Sequence, residues 1–248
     1  MVAWAMRING GGAASADWFE ARLRRARTLI PAAEFDTVIR AEFGETVTTE
    51  LVDVVGVADA DPVDFYNGGV IEVSVGDAVI APSSARLQLT GSPSHVGLLN
   101  GKSWYAASLT RLITPVDPGN SRVDLIGLWT DDANRVGLGI WNGSGGSSTN
   151  WAGYTLVDSS SNSSLGPLLD GESPVWHLAE MWFDVDTSVL TFALDGVSFS
   201  TLLDADDLPS TPARLSMLFG ADVANSPFAT NFDKACVVVR SPVVGEAS

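Results

Sequence analysis

Pro174-Val175-Trp176-His177-Leu178-Ala179-Glu180-Met181-Trp182-Phe183-Asp184 opens the decisive stretch, and Leu190-Thr191-Phe192-Ala193-Leu194-Asp195-Gly196-Val197 closes it. Two apolar runs of strand length flank the turn segment Asp184-Val185-Asp186-Thr187-Ser188, and a third run, Val197–Leu202, follows Asp195-Gly196. Asp-Gly between strand-like runs is a strong hairpin signal, because a type I′ turn needs positive φ at both central residues. The stretch predicts two consecutive hairpins.

The same pattern extends outward. Thr46–Val55, Ile71–Val75, Ala85–Thr90, Ser103–Leu112, Val123–Trp129, Arg135–Trp141, Ala213–Phe219 and Lys234–Arg240 read as strands. They are short and are split by Gly, Pro, Asn, Asp or Ser. Several are apolar on both faces, as strands inside a two-layer sandwich are. The expected fold class is all-β: an antiparallel β-sandwich of about a dozen strands with Greek-key or jelly-roll connections. Asn142–Asn150 and Asp158–Ser164 are Ser/Gly-rich and are expected as loops. Long loops on a rigid sandwich are also where binding sites tend to lie.

The N-terminal part differs. Phe19, Leu23, Ala26 and Ile30 share one helical face, so residues 16–30 predict a helix. Asp17 is expected as its N-cap with Glu20 completing a capping box, and Pro31 ends it. Gly10-Gly11-Gly12 precedes it as a hinge. Residues 1–45 are therefore expected as an N-terminal arm and 46–248 as the sandwich. Arg22, Arg24, Arg25 and Arg27 lie off the apolar helical face. Two readings follow: the arm fastens to a neighbouring acidic subunit, or the helix packs on its own acidic body.

Composition narrows the function. The 248 residues hold 14 Lys and Arg against 30 Asp and Glu, a formal charge of −16. Such charge opposes nucleic acid and anionic membranes, which are themselves polyanions. Residues 1–40 carry six Arg against four acidic residues, so the acidity belongs to the body. One Cys excludes an internal disulfide, and with only two His it makes no His/Cys-rich zinc site. Cys236 falls in a Val-rich run and is expected as a buried, inert thiol. No apolar run approaches the roughly 20 residues needed to span a bilayer. No signal-peptide core stands near residue 1.

The opening stretch, with Leu125–Trp129, Arg135–Ile140, Asn231-Phe232-Asp233 and Val237–Val239, resembles the concanavalin A-like lectin/glucanase superfamily, laminin-G-like domains included. The likeness runs from Trp104 to Val239, is looser over 70–100 and does not reach 1–45. It implies a concanavalin A-like jelly roll. It leaves function open, because that fold hosts lectins, hydrolases, adhesins and structural modules.

A glycosidase needs two carboxyl groups at a fixed separation. The Glu-x-Asp-x-x-Glu string of the superfamily's glucanases is absent. The nearest segment holds Glu180, Asp184 and Asp186, and the two Asp fall in a turn, where solvated Asp is ordinary. Neither His95 nor His177 adjoins a nucleophile motif. No catalytic residue is assigned, and a divergent glycoside hydrolase with Glu180 as its acid ranks last. A lectin needs aromatic faces and hydroxyl-binding amides, and Trp141, Asn142, Asn150, Trp151 and Tyr154 bracket the Gly/Ser loop. Their alternative is to end strands and cap the core. The superfamily often orders its loops with calcium. No cofactor is required here, but Asp131, Asp132 and Asn134 offer hard oxygen ligands or, more simply, a polar turn.

The leading expectation is a non-enzymatic structural or adhesion subunit on a larger assembly: a bacteriophage capsid decoration or tail/fibre protein at the virion surface. Its partners would be other virion subunits and copies of itself. A carbohydrate-binding, lectin-like module for surface glycans is the alternative.

Overall fold

A computed structural model describes residues 12–30, 35–42, 49–55, 58–63, 70–75, 83–89, 95–112, 121–131, 133–140, 150–168, 176–202, 205–210, 212–221 and 228–240. Among them are one helix, α1 (Gly12–Leu29), and sixteen strands. The strands are β1 (Phe35–Glu42), β2 (Thr49–Val55), β3 (Ala58–Val63), β4 (Val70–Val75), β5 (Ser83–Leu89), β6 (His95–Leu98), β7 (Trp104–Leu112) and β8 (Ser121–Asp131). They continue as β9 (Asn134–Ile140), β10 (Asn150–Val157), β11 (Ser160–Leu168), β12 (Trp176–Asp184), β13 (Val189–Leu194), β14 (Val197–Leu202), β15 (Pro212–Ala221) and β16 (Phe228–Arg240).

Two antiparallel sheets face each other. The first runs β14-β13-β12-β7-β16-β4-β3, with β1 also on β16. The second runs β11-β10-β9-β8-β15-β5-β2, with β6 also on β15. Between them lies a core that includes Trp104, Leu138, Trp151, Met181, Phe192 and Val237. Removal of such side chains from water drives the two layers together. Gly153 of β10 is part of the fit: a Cβ there would collide with the Phe192 ring.

The decisive stretch folds as two hairpins. β12 pairs with β13 from Ala179↔Leu194 to Asp184↔Val189, and β13 pairs with β14 from Val189↔Leu202 to Leu194↔Val197. Asp195 and Gly196 both take positive φ, 50° and 86°, as a type I′ turn requires. Asp158 and Ser159 take φ of 48° and 68° and make a second turn of this kind. Asp158–Ser164 is therefore not the loop expected: Ser160–Leu168 is β11, paired with β10. The ladder offered by β10 overrides the low strand propensity of Ser and Asn. β11 also meets β14, where Ser164 Oγ donates to the Ser200 carbonyl at 3.1 Å.

The N-terminal expectation needs three corrections. α1 begins at Gly12, so Asp17 is an exposed residue inside the helix and forms neither N-cap nor capping box. Gly12 is helical rather than part of a hinge, and Gly10 and Gly11 lie outside the described residues. The boundary at 45 also cuts through a sheet: β1 pairs with β16 from Phe35↔Arg240 to Glu42↔Lys234. The physical reason is strand alternation. Along β7, Trp104 and Ala106 join the inter-sheet core while Tyr105 and Ala107 point the other way. Trp18, Phe19, Leu23 and Ala26 of α1, with Ile30 just after it, cover that outer face, which Cys236 and Val238 of β16 share. An amphipathic helix buries its apolar stripe where one is offered, and this chain's own sheet offers it.

Candidate functional site

Glu180 of β12 lies beneath α1. It is 3% exposed, accepts a hydrogen bond from Tyr105 Oη at 2.7 Å, and is held by Arg22 at 3.0 Å and Arg25 at 3.5 Å. Burial pushes the Tyr105 phenol well above its usual range, and the neighbouring Glu180 carboxylate adds to the effect. Arg25 also stacks on Trp182, and Arg27 on Phe35. Arg24 stays exposed. The helix arginines thus bind α1 to its own sandwich. Glu180 is enclosed beneath α1 and ion-paired to it.

Asp184 serves its turn. Its carboxylate accepts Asp186 N–H at 3.2 Å and Thr187 Oγ1 at 2.9 Å. His177 is buried against Trp151 and bonds through Nδ1 to Asp195 Oδ2 at 2.8 Å. Asp195 Oδ1 accepts Leu178 N–H at 2.8 Å, so this side chain fastens the second hairpin to β12.

Of the residues expected to bind glycan, the described Asn150, Trp151 and Tyr154 do not present a shared open surface. Trp151 is buried in the inter-sheet core and Tyr154 on the opposite face of the same strand. Tyr154 Oη meets both Asp124 carboxylate oxygens at 2.7 Å. Its ring lies over Gly137, where a Cβ would stand 2.7 Å away. Burial, then Asp124, drives its pKa well up. Asn150 Nδ2 donates to the Gly166 carbonyl at 2.9 Å. Neither aromatic face is open to a sugar, because period-2 geometry places both rings against protein. Trp141 and Asn142 lie outside the described residues.

Asp131 and Asn134, two of the three expected calcium ligands, bond to each other and to the backbone. Asp131 Oδ1 accepts Ala133 N–H at 2.8 Å and Asn134 Nδ2 at 3.0 Å, while Asn134 Oδ1 accepts Asp158 N–H at 3.1 Å. Asp132 lies outside the described residues. Among the described residues, no three His, Cys, Asp or Glu side chains are placed to hold a metal ion. No helix among them is long and apolar enough to cross a membrane.

Among the described residues, an open groove has a volume of about 500 Å³. It lies at an end of the sandwich, between the β10–β11 hairpin, a short 3₁₀ turn at Ala205–Asp207 and Asn100 after β6. Asn100, Asn162, Asp158, Asp206 and Asp207 bring amide and carboxylate groups to it. Ser160, Ser161 and Ser210 add hydroxyls, and Val157 and Leu208 supply apolar surface. Thr155 stands opposite Val136, so it faces inward where the sheets part, and it reaches the groove from there. Sequence reading flagged only part of this site, as the polar segment Asp158–Ser164. Asp206-Asp207 gave an acidic pair without a pattern, and Asn100 and Thr155 join it through tertiary structure alone.

No family model and no curated protein matches the chain. Solved structures do match in shape. Lectin I from Ulex europaeus, in complex with the methyl glycoside of α-L-fucose, aligns with a TM-score of 0.57 and 10% identity, over 84% of this chain and 99% of that one. Winged bean acidic lectin, complexed with methyl-α-D-galactose, gives 0.57 and 10%, over 83% and 100%. A prokaryotic β-1,3-1,4-glucanase (lichenase) derived from a mouse hindgut metagenome gives 0.55 and 12%, over 82% and 99%. At these identities the likeness establishes the fold alone: this chain folds as a concanavalin A-like β-sandwich.

Proposed function

We propose that the chain is a carbohydrate-binding, lectin-like module whose ligand occupies the groove at the β10–β11 hairpin. The groove itself carries the proposal: amide, carboxylate and hydroxyl groups surround a space of about 500 Å³, within the size range of small-ligand sites. Sugar hydroxyls both donate and accept. Asn100 and Asn162 answer both roles, and the carboxylates accept. Val157 and Leu208 give the C–H faces of a ring an apolar surface. The fold's occurrence in lectins that hold a fucoside or a galactoside supports the same reading.

The virion-subunit expectation loses one of its supports, since Arg22 and Arg25 are engaged with Glu180 of their own sandwich. The hydrolase expectation has Glu180 as its acid, and that side chain is enclosed and paired with Arg22, while the fold also carries a lichenase.

Titration calorimetry of the full chain against a panel of neutral and amino-sugar oligosaccharides, with and without calcium, tests the proposal. Binding that Asn162→Ala weakens about tenfold, at unchanged melting temperature, is the expected result. Absence of binding to every saccharide would sink it.

A further inference from the structure

We infer that Asn100 is a site of spontaneous covalent modification: the Gly101 backbone nitrogen attacks its side chain and turns a neutral amide of the groove wall into an acid. The modification belongs to the chain alone. Its effect on a saccharide rests on the carbohydrate-binding reading.

Asn100 and Gly101 lie in the bend between β6 and β7, Asn100 half-buried and Gly101 exposed. Both flanks of the bend are fixed. Leu99 is fully buried and its carbonyl accepts Trp104 Nε1–H at 3.0 Å, while Lys102 pairs with Asp36. The tip is open: a Cβ built on Gly101 would meet nothing within 4 Å. Among the described residues, no hydrogen bond holds the Asn100 amide or the Gly101 N–H.

Glycine carries no side chain to hinder the approach and lets its backbone turn. An attack within one chain needs no encounter, which compensates for a weak nucleophile. The Gly101 nitrogen gives its proton to solvent and bonds to the Asn100 side-chain carbonyl carbon. The bond from that carbon to the amide nitrogen breaks, and the nitrogen takes a proton from solvent and leaves as ammonia. Water then adds to one of the two carbonyls of the five-membered imide and opens it. The product is Asp or isoaspartate at position 100. Asp195-Gly196 is a built-in contrast. Its carboxylate is held by His177 Nδ1 and Leu178 N–H, each at 2.8 Å, so this pair should stay unrearranged.

The new acid joins Asp158, Asp206 and Asp207 along the groove. An amide donates and accepts, whereas a carboxylate only accepts. A sugar hydroxyl that accepts from Asn100 therefore loses its donor.

The test is peptide mapping of the full chain after several weeks at pH 6 and at pH 8. Trypsin cutting at Arg86 and Lys102 releases peptide 87–102, in which Asn100 is the sole Asn. That peptide should gain the mass of replacing NH₂ by OH and split into two isomers, faster at pH 8, where more of the attacking nitrogen is deprotonated. Asn142-Gly143, outside the described residues, falls in a different peptide. Gly101→Ala, which has room for its methyl group, should suppress the conversion at unchanged melting temperature. An Asn100 that stays intact at pH 8 overturns the inference, and so does conversion that Gly101→Ala leaves at the wild-type rate. Calorimetry of Asn100→Asp tests the consequence: a saccharide that the wild type binds should bind about fivefold more weakly, the worth of one neutral hydrogen bond. Undiminished binding removes that consequence and leaves the modification standing. A wild-type chain that binds no saccharide strikes the carbohydrate reading alone.

Discussion

Arg22 and Glu180 are separated by 158 residues in sequence and 3.0 Å in space. This pair joins α1 to the strand that decides the fold. It makes the helix part of the sandwich's outer wall rather than a free appendage. The carboxylate is nearly excluded from solvent while Arg25 at its rim is 39% exposed, so most of the coupling should lie with Arg22 and Tyr105.

Removing the buried carboxylate should therefore be severe. Glu180→Ala leaves Arg22 and Tyr105 without their acceptor and is expected to cost about 3 kcal/mol, in the range for breaking a buried pair. Urea denaturation measures it. Arg25→Ala should cost under about 1 kcal/mol. Glu180→Gln should leave saccharide binding unchanged, because Glu180 lies beneath α1 and the groove lies elsewhere.

Alkaline pH should destabilise the fold. Burial pushes the Cys236 thiol from 9.0 to about 12 and drives Tyr105 and Tyr154 upward from 10.0. Above pH 9 the unfolded chain releases these protons while the folded chain keeps them. The unfolded state then binds fewer protons, so stability falls as pH rises from 9 towards 12. Thermal melts across that window should show the decline, and Cys236→Ala should remove the thiol's part. Native protein at pH 8 should label slowly with a thiol reagent, and Leu23→Ala, which thins the helix cover, should speed labelling.

The packed faces of β10 give a third expectation. Gly153→Ala forces a Cβ into Phe192 and should cost about 1–3 kcal/mol. Trp151→Ala should cost about 3–5 kcal/mol through the cavity it opens. Melting temperature reports both. A Trp151→Ala protein that stayed as stable as wild type yet lost its glycan would return that ring to the binding site.

The β13–β14 turn gives a fourth. Asp195→Ala removes acceptors from His177 and from Leu178 N–H and should destabilise by about 1–3 kcal/mol. Gly196→Ala, at φ 86°, should cost about 1 kcal/mol. If the two together cost no more than the larger alone, the turn acts as one unit.

The hairpins were legible because local chemistry specifies them: Asp195-Gly196 dictates its turn whatever surrounds it. The sandwich was legible from alternation and from doubly apolar strands. β11 was not, because Ser and Asn become a strand only when β10 supplies a ladder. Trp151 and Tyr154 have the composition of a sugar site, but their exposure depends on what packs above each face, which no local pattern encodes. The groove was the least legible part. Asn100, Thr155 and Asp206 come from three separate segments and meet only through the topology. Glu180 and the helix arginines were visible as residues, but their pairing across 158 positions was not.

The pairing of β1 with β16 also has a consequence in time. A ribosome delivers α1 and β1 well before β16, which follows β2 to β15. Until residues 228–240 emerge, β1 lacks its ladder, and Trp18, Phe19 and Leu23 lack the Val238 and Cys236 they cover. Such distant pairing slows folding and leaves apolar surface uncovered meanwhile. A segment made well before β16 is thus among the last to reach its native place.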